Sequence, residues 1–264
     1  MRPRAVAAAC VVVLTGLGWV YLALLAAQAT TDTNSTGTWF GFVQALCLAM
    51  PENSWQASNV ALGASMWCAM TLAMMLPSTA PMILTYADIA ETAAHKGEMI
   101  VSPLVLTAGY GVVWIVFSFA AALLQGLLVE LARVVPGVVS ARTLFAGAIF
   151  IGAGLYQFSN LKNACLTRCR QPFPFFFTNW ATTRGGVLVL GLRQGLYCLG
   201  CCWAMMLVMF VVGAMNIAWM AGLAVIVTLE KMLTGRFFTQ LIGIALIAGG
   251  AIIVLESLYS HWPG

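Results

Sequence analysis

Apolar residues fall into seven runs, near 5–27, 60–85, 102–130, 138–158, 186–213, 217–230 and 237–259, separated by short polar breaks. A helix crosses the hydrocarbon core of a bilayer with about 20 such residues, each rising about 1.5 Å. Six of the runs reach that length. The run 217–230 is shorter, and reads as a half-helix or as a span extended through its polar end. The pattern predicts an all-α polytopic transmembrane helix bundle of about seven spans, or six if the short run does not cross. No run of soluble character interrupts it, so residues 1–264 read as a single membrane domain.

The breaks carry their own signals. Segment 28–59 starts polar ("ATTDTNSTGT") and turns amphipathic ("WFGFVQALCLAM"), which predicts an external interfacial helix with aromatic anchors. In "MLPSTAPM", Pro77 and Pro81 are expected to kink or end the second span. Loop 159–185 holds a basic cluster followed by aromatics suited to the membrane interface. Gly191 and Gly195 form a small-xxx-small pair that lets two helix backbones approach.

Composition supports this reading. The chain is 62% hydrophobic and 8% charged, against roughly 25% charged residues in a soluble domain. Its net charge of +4 is spread over short loops, where it sets topology rather than a nucleic-acid surface. With the N-terminus cytoplasmic, Arg2, Arg4, Lys96, Lys162, Arg168, Arg170, Arg184, Lys231 and Arg236 lie inside, and Arg133 and Arg142 outside. That makes 159–185 a cytoplasmic loop and 28–59, which lacks Lys and Arg, an external one. Arg2, Arg4 and "LLAAQAT" also fit a cleaved signal peptide. The apolar core of the first run is longer than the usual 7–15 or so residues, which favours a retained helix.

The distinctive chemistry is sulfur. At about 100° per residue, Cys198, Cys201, Cys202, Met205 and Met209 share one helical stripe of about 100°. Met66, Met70 and Met74, spaced i, i+4, i+8, share a face of the second span. If spans two and five are neighbours, Met66 falls at the depth of Met209, Met70 at that of Met205, and Met74 at that of Cys201 and Cys202. Cys165 and Cys169 sit four apart in the cytoplasmic loop, where a structural disulfide is not expected and Arg168 and Arg170 favour thiolate.

Thiolate and thioether donors select Cu(I). Zinc sites use histidine and cysteine, and the two histidines here, His95 and His261, lie far from the stripe. Packing competes with this reading, because methionine and cysteine are also ordinary apolar fillers. Cys10, Cys47 and Cys68 read as such. A redox-sensing role is the rival for Cys165 and Cys169. Arg193 is expected to snorkel or to pair with Glu230. Tyr156, Gln157, Asn160 and Lys162 read as interfacial anchors at a helix end.

"MWCAMTLAMMLPSTAP" (66–81), "GLYQFSNLKNACLTRCRQP" (154–172), "GLRQGLYCLGCCWAMM" (191–206) and "MNIAWM…EK" resemble a bacterial family of metal-binding integral membrane proteins. One branch of it is described as copper chaperones for polyphenol oxidase. The resemblance spans roughly residues 60 to 235. It points to Trp67, Met70, Met74, Met75, Pro77, Lys162, Cys165, Cys169, Arg170, Cys198, Cys201, Cys202 and Trp203. The chain departs from the family pattern at Ser159 and Asn160, where Thr-Pro is common, and at Gln194, where His is common.

Together these readings predict a non-enzymatic Cu(I)-binding protein of a bacterial inner membrane. It would take copper through Cys198, Cys201, Cys202, Met205, Met209, Cys165, Cys169, Met66, Met70 and Met74. Its partners would be a copper-dependent oxidase or oxygenase, or other membrane subunits, with no nucleic acid. Two other functions fit the same sequence: a non-catalytic accessory subunit of a membrane oxidoreductase, and a membrane thiol redox protein. No ATP-binding loop or phosphorylation motif marks a pump.

Overall fold

A computed structural model describes residues 3–31, 57–97, 101–134, 138–212 and 217–260, and all elements among them are helices. They are α1 (Pro3–Thr31), α2 (Ala57–His95), α3 (Pro103–Val134), α4 (Val138–Tyr156), α5 (Asn160–Arg170), α6 (Pro172–Thr178), α7 (Arg184–Val212), α8 (Ile217–Met232) and α9 (Phe237–Ser260). Five helices, α1, α2, α3, α7 and α9, are long and apolar enough to cross a membrane. A sixth candidate span arises if α4 and α5, bent by 64° at their junction, count as one. Helix α8 has 16 residues and falls short of a full span. The interfacial helix expected in 28–59 and the packing role expected for Cys47 lie outside the described residues.

Helix α2 runs on through Pro77 and Pro81 instead of ending there. The hydroxyls of Ser78 and Thr79 donate to the carbonyls of Met75 and Leu76 in that turn. The 159–185 stretch, expected as a loop, holds two helices. Ser159 caps the first, its hydroxyl accepting from Lys162 N at 3.1 Å. That cap closes the turn after α4 and folds α5 back against α7 and α8.

Two packing modes build the bundle. In the first, glycines bring backbones together. A side chain at Gly191 would collide with the Leu106 carbonyl, and one at Gly109 with the Leu188 carbonyl, so α3 and α7 run parallel in close contact. The spacing of Gly191 and Gly195 predicts this approach. Gly147 and Gly154 do the same between α4 and an antiparallel α9, through Gly250 and Gly243. Helix α1 lies antiparallel on α2, pinned by Arg4–Asp88 at 3.3 Å near one end and by Tyr21–Ser65 at 2.9 Å near the other.

In the second mode, side chains hold helices apart. Helices α2 and α7 meet through Trp67 stacked on Phe210 (4.6 Å between centroids) and through Met75 against Cys202. The same number of residues separates the two contacts on each helix, so the helices face each other antiparallel across a filled interior. Met66, Met70, Met74, Met75, Met205, Met206 and Met209 are all buried there in one apolar core. The second and fifth spans therefore do face each other, in nearly the register that the sulfur ladder requires.

Gly191→Ala should destabilise the α3–α7 crossing by about 1–3 kcal/mol, the usual cost of overpacking, read as a lower unfolding temperature in detergent. Gly222→Ala meets nothing within 4 Å and should stabilise α8 by about 0.5–1 kcal/mol.

Candidate metal centre

Cys198, Cys201 and Cys202 stand at i, i+3 and i+4 on α7, a spacing that puts three side chains on one face. Their sulfur atoms all lie within 4.8 Å of one another, and all three residues are buried. The Cys201 and Cys202 thiols donate back to the Cys198 carbonyl at 3.1 and 2.8 Å. The Cys198 sulfur also takes partners from other helices.

Four helices close on this cluster. From α3, the Tyr110 hydroxyl shares a hydrogen bond with Cys198 Sγ at 3.1 Å. From α8, Lys231 Nζ donates to the same sulfur at 3.1 Å and to Ser78 Oγ at 2.7 Å. From α2, Met75 Sδ lies 3.8 Å from Cys202 Sγ. From α5, the partly buried Cys169 lies beside Cys201. Cys165 lies against α7 at Gly200, where an added Cβ would stand 2.7 Å from its sulfur. Glycine at that position lets α5 settle onto α7.

A second polar group adjoins the first. Lys162 is fully buried and donates to both carboxylate oxygens of Glu230, at 3.0 and 2.8 Å. It also donates to the Gln157 side-chain carbonyl, whose amide in turn donates to Met205 Sδ at 3.2 Å. Arg170 Nε donates to the Glu230 backbone carbonyl at 2.8 Å. The sequence-based pairing of Glu230 with Arg193 is thus corrected, since the carboxylate belongs to Lys162. Gln157 and Lys162 are not interfacial anchors either, because the bend after α4 turns them inward. Cys165 and Cys169, expected in a cytoplasmic loop, instead lie on α5 packed against α7.

The sequence-selected sulfurs are distributed as follows. Cys198, Cys201 and Cys202 converge, with Cys169 beside them. Met205 lies one turn along α7 and Met209 a further turn on, both buried. Met66, Met70 and Met74 are buried in the same core. Among the described residues, the α2 thioether in contact with the cysteines is Met75, which the helical stripe left out and the family resemblance included. Tyr110 was not singled out, and Lys231 and Ser78 appeared only as a topology charge and within the stretches that carry the resemblance, not as site residues. The legible signal was the adjacent pair Glu230–Lys231 in an otherwise apolar helix, since ionisable groups in such segments face bundle interiors and mark functional sites.

Chemically, the site offers three thiols from one helix, a fourth from α5, and a neutral thioether. All these donors are soft. The Lys231 ammonium supplies one positive charge where coordinating thiols become negative.

The Lys162–Glu230 pair has a measurable signature. Lys162→Met should cost about 3–5 kcal/mol, because it strands a buried carboxylate, whereas adding Glu230→Met should recover most of that loss. A double-mutant cycle on thermal unfolding reads both.

The model of a family described as a copper chaperone, PpoB2, matches residues 64–253. No curated protein and no solved structure matches the chain. The matched stretch contains every residue of the site described above.

Proposed function

We propose, from the premise that the chain belongs to the PpoB2 copper chaperone family, that it binds copper as Cu(I) and delivers it to a copper-dependent oxidase or oxygenase. Copper here is cargo, and the protein is not itself an enzyme. The observation that carries this reading is the convergence of Cys198, Cys201 and Cys202 within 4.8 Å inside an apolar bundle. Thiolates at that spacing suit a soft monovalent ion, and the nearby donors, Met75 and Cys169, are soft as well.

The cysteines form the tight station. Their thiols give up protons as the ion binds, so loading releases protons. Met66, Met70, Met205 and Met209 form a neutral thioether path along the core between α2 and α7, with Met74 near its cysteine end. Neutral thioethers hold a soft cation loosely enough to pass it on. Cys169 and Cys165, on α5, make the exchange point toward the acceptor. This reading treats residues 1–264 as one membrane domain of a bacterial inner membrane, with about seven spans and the N-terminus in the cytoplasm. The five long apolar helices support a membrane setting.

Anaerobic titration of the purified protein with Cu(I) against a competing chelator tests the reading. Wild type should retain copper. Changing Cys198, Cys201 and Cys202 together to Ser should weaken binding by more than the 10–100-fold or so typical of losing an outer-shell partner. Changing Cys10 and Cys68 to Ser should leave it unaltered. Weak binding that ignores the triple change would overturn the copper assignment and favour an accessory-subunit role.

A further inference from the structure

The sulfur atoms of this centre outnumber what one ion needs. Five free thiols meet where α5 packs on α7. Cys198, Cys201 and Cys202 lie within 4.8 Å of one another. Cys169 lies beside Cys201, and Cys165 stands against the α7 backbone at Gly200. Met75 Sδ, 3.8 Å from Cys202 Sγ, is a sixth sulfur. Among thiolates a soft monovalent ion is satisfied by about two or three of them.

Helical phase sorts these atoms into two groups. Consecutive residues on a helix point about 100° apart, so Cys201 and Cys202 leave α7 in different directions. Cys202 faces α2, where it meets Met75. Cys201 faces α5, where it meets Cys169. Cys165 and Cys169 stand at i and i+4 on α5 and share the face it turns to α7. Cys198 lies between Cys201 and Cys202 in phase. Cys198, Cys202 and Met75 therefore form one group and Cys165 and Cys169 another, with Cys201 between them.

We propose, resting on the copper reading above, that the centre is dinuclear. One Cu(I) binds Cys198 and Cys202, a second binds Cys165 and Cys169, and the Cys201 thiolate bridges the two. Each coordinating thiol gives up its proton as the ions bind. Sharing Cys201 spares the apolar bundle one thiolate compared with two separate three-thiolate sites. Cations flank the negative charge that remains. Lys231 Nζ is 3.1 Å from Cys198 Sγ and keeps that bond when the sulfur is a thiolate. On the α5 side, Arg170 is within electrostatic reach of Cys201. Its Nη2 is buried with no hydrogen-bond partner among the described residues. A buried charged donor without an acceptor is costly, and an anionic sulfur cluster gives it a countercharge. The exchange thiols of α5 are then a station filled together with the first, and the cargo is a pair of ions.

Anaerobic loading of the full chain in detergent with Cu(I), against a competing chelator, tests the dinuclear centre. Bound copper is counted by native mass spectrometry and its neighbours are read by X-ray absorption. Wild type should hold two Cu(I) per chain and show a copper–copper scattering path besides the sulfur shell. Cys165→Ser with Cys169→Ser should hold one and lose that path, and so should Cys198→Ser with Cys202→Ser. Cys201→Ser, which removes the bridge, should lose the path whatever copper it keeps. The wild-type count and path need no variant, so a variant that fails to fold leaves the test standing. One Cu(I) per chain overturns the dinuclear centre and leaves the copper reading intact, as do two without a copper–copper path. Two ions kept by Cys165→Ser with Cys169→Ser overturn it as well, because the second then sits elsewhere. No copper retained overturns the copper reading, and the dinuclear centre with it.

Discussion

An ammonium group inside an apolar bundle must find lone pairs, and Lys231 finds them on a cysteine sulfur and a serine hydroxyl. That choice fixes the meeting point of three helices, α8, α7 and α2, at the level of the cysteine cluster. Without it, Cys198 would be one more small apolar side chain. With it, the sulfur sits in a polarised pocket at the centre of a protein that is 62% hydrophobic. The Lys162–Glu230 pair repeats the constraint one layer away: charges that cannot reach water are satisfied by each other and by Gln157.

The two packing modes serve this pocket. Glycine contacts between α3 and α7, and between α4 and α9, bring backbones close and give the bundle a rigid frame. The space between α2 and α7 is filled instead by long, flexible methionines and by stacked rings. Methionine tolerates irregular gaps, which suits the uneven space between two helices held apart by side chains.

Much of this was legible in the sequence, because membrane helices announce themselves by length and hydropathy. The long apolar runs and the cysteine stripe needed only helical period and rise. A close helix approach at Gly191 and Gly195 was legible, but not that α3 is the partner. The polar layer was not legible, for a physical reason. A charge at the end of an apolar run gives the same signal whether it snorkels to the interface or is folded inward. Ser159 decides between them by capping α5, and a lone serine after an apolar run does not reveal the 64° bend it terminates. The helical stripe passed over Met75 for a related reason. A stripe of i, i+4 methionines assumes the face that points at the partner, and the partner's position was set by Trp67 and Phe210.

The thiols of Cys201 and Cys202 rest on the Cys198 carbonyl, which belongs to the backbone ladder of α7. Those thiol contacts are weak, and the carbonyl keeps its helical N–H partner when they are gone. Losing those thiol contacts therefore leaves the backbone ladder of α7 intact.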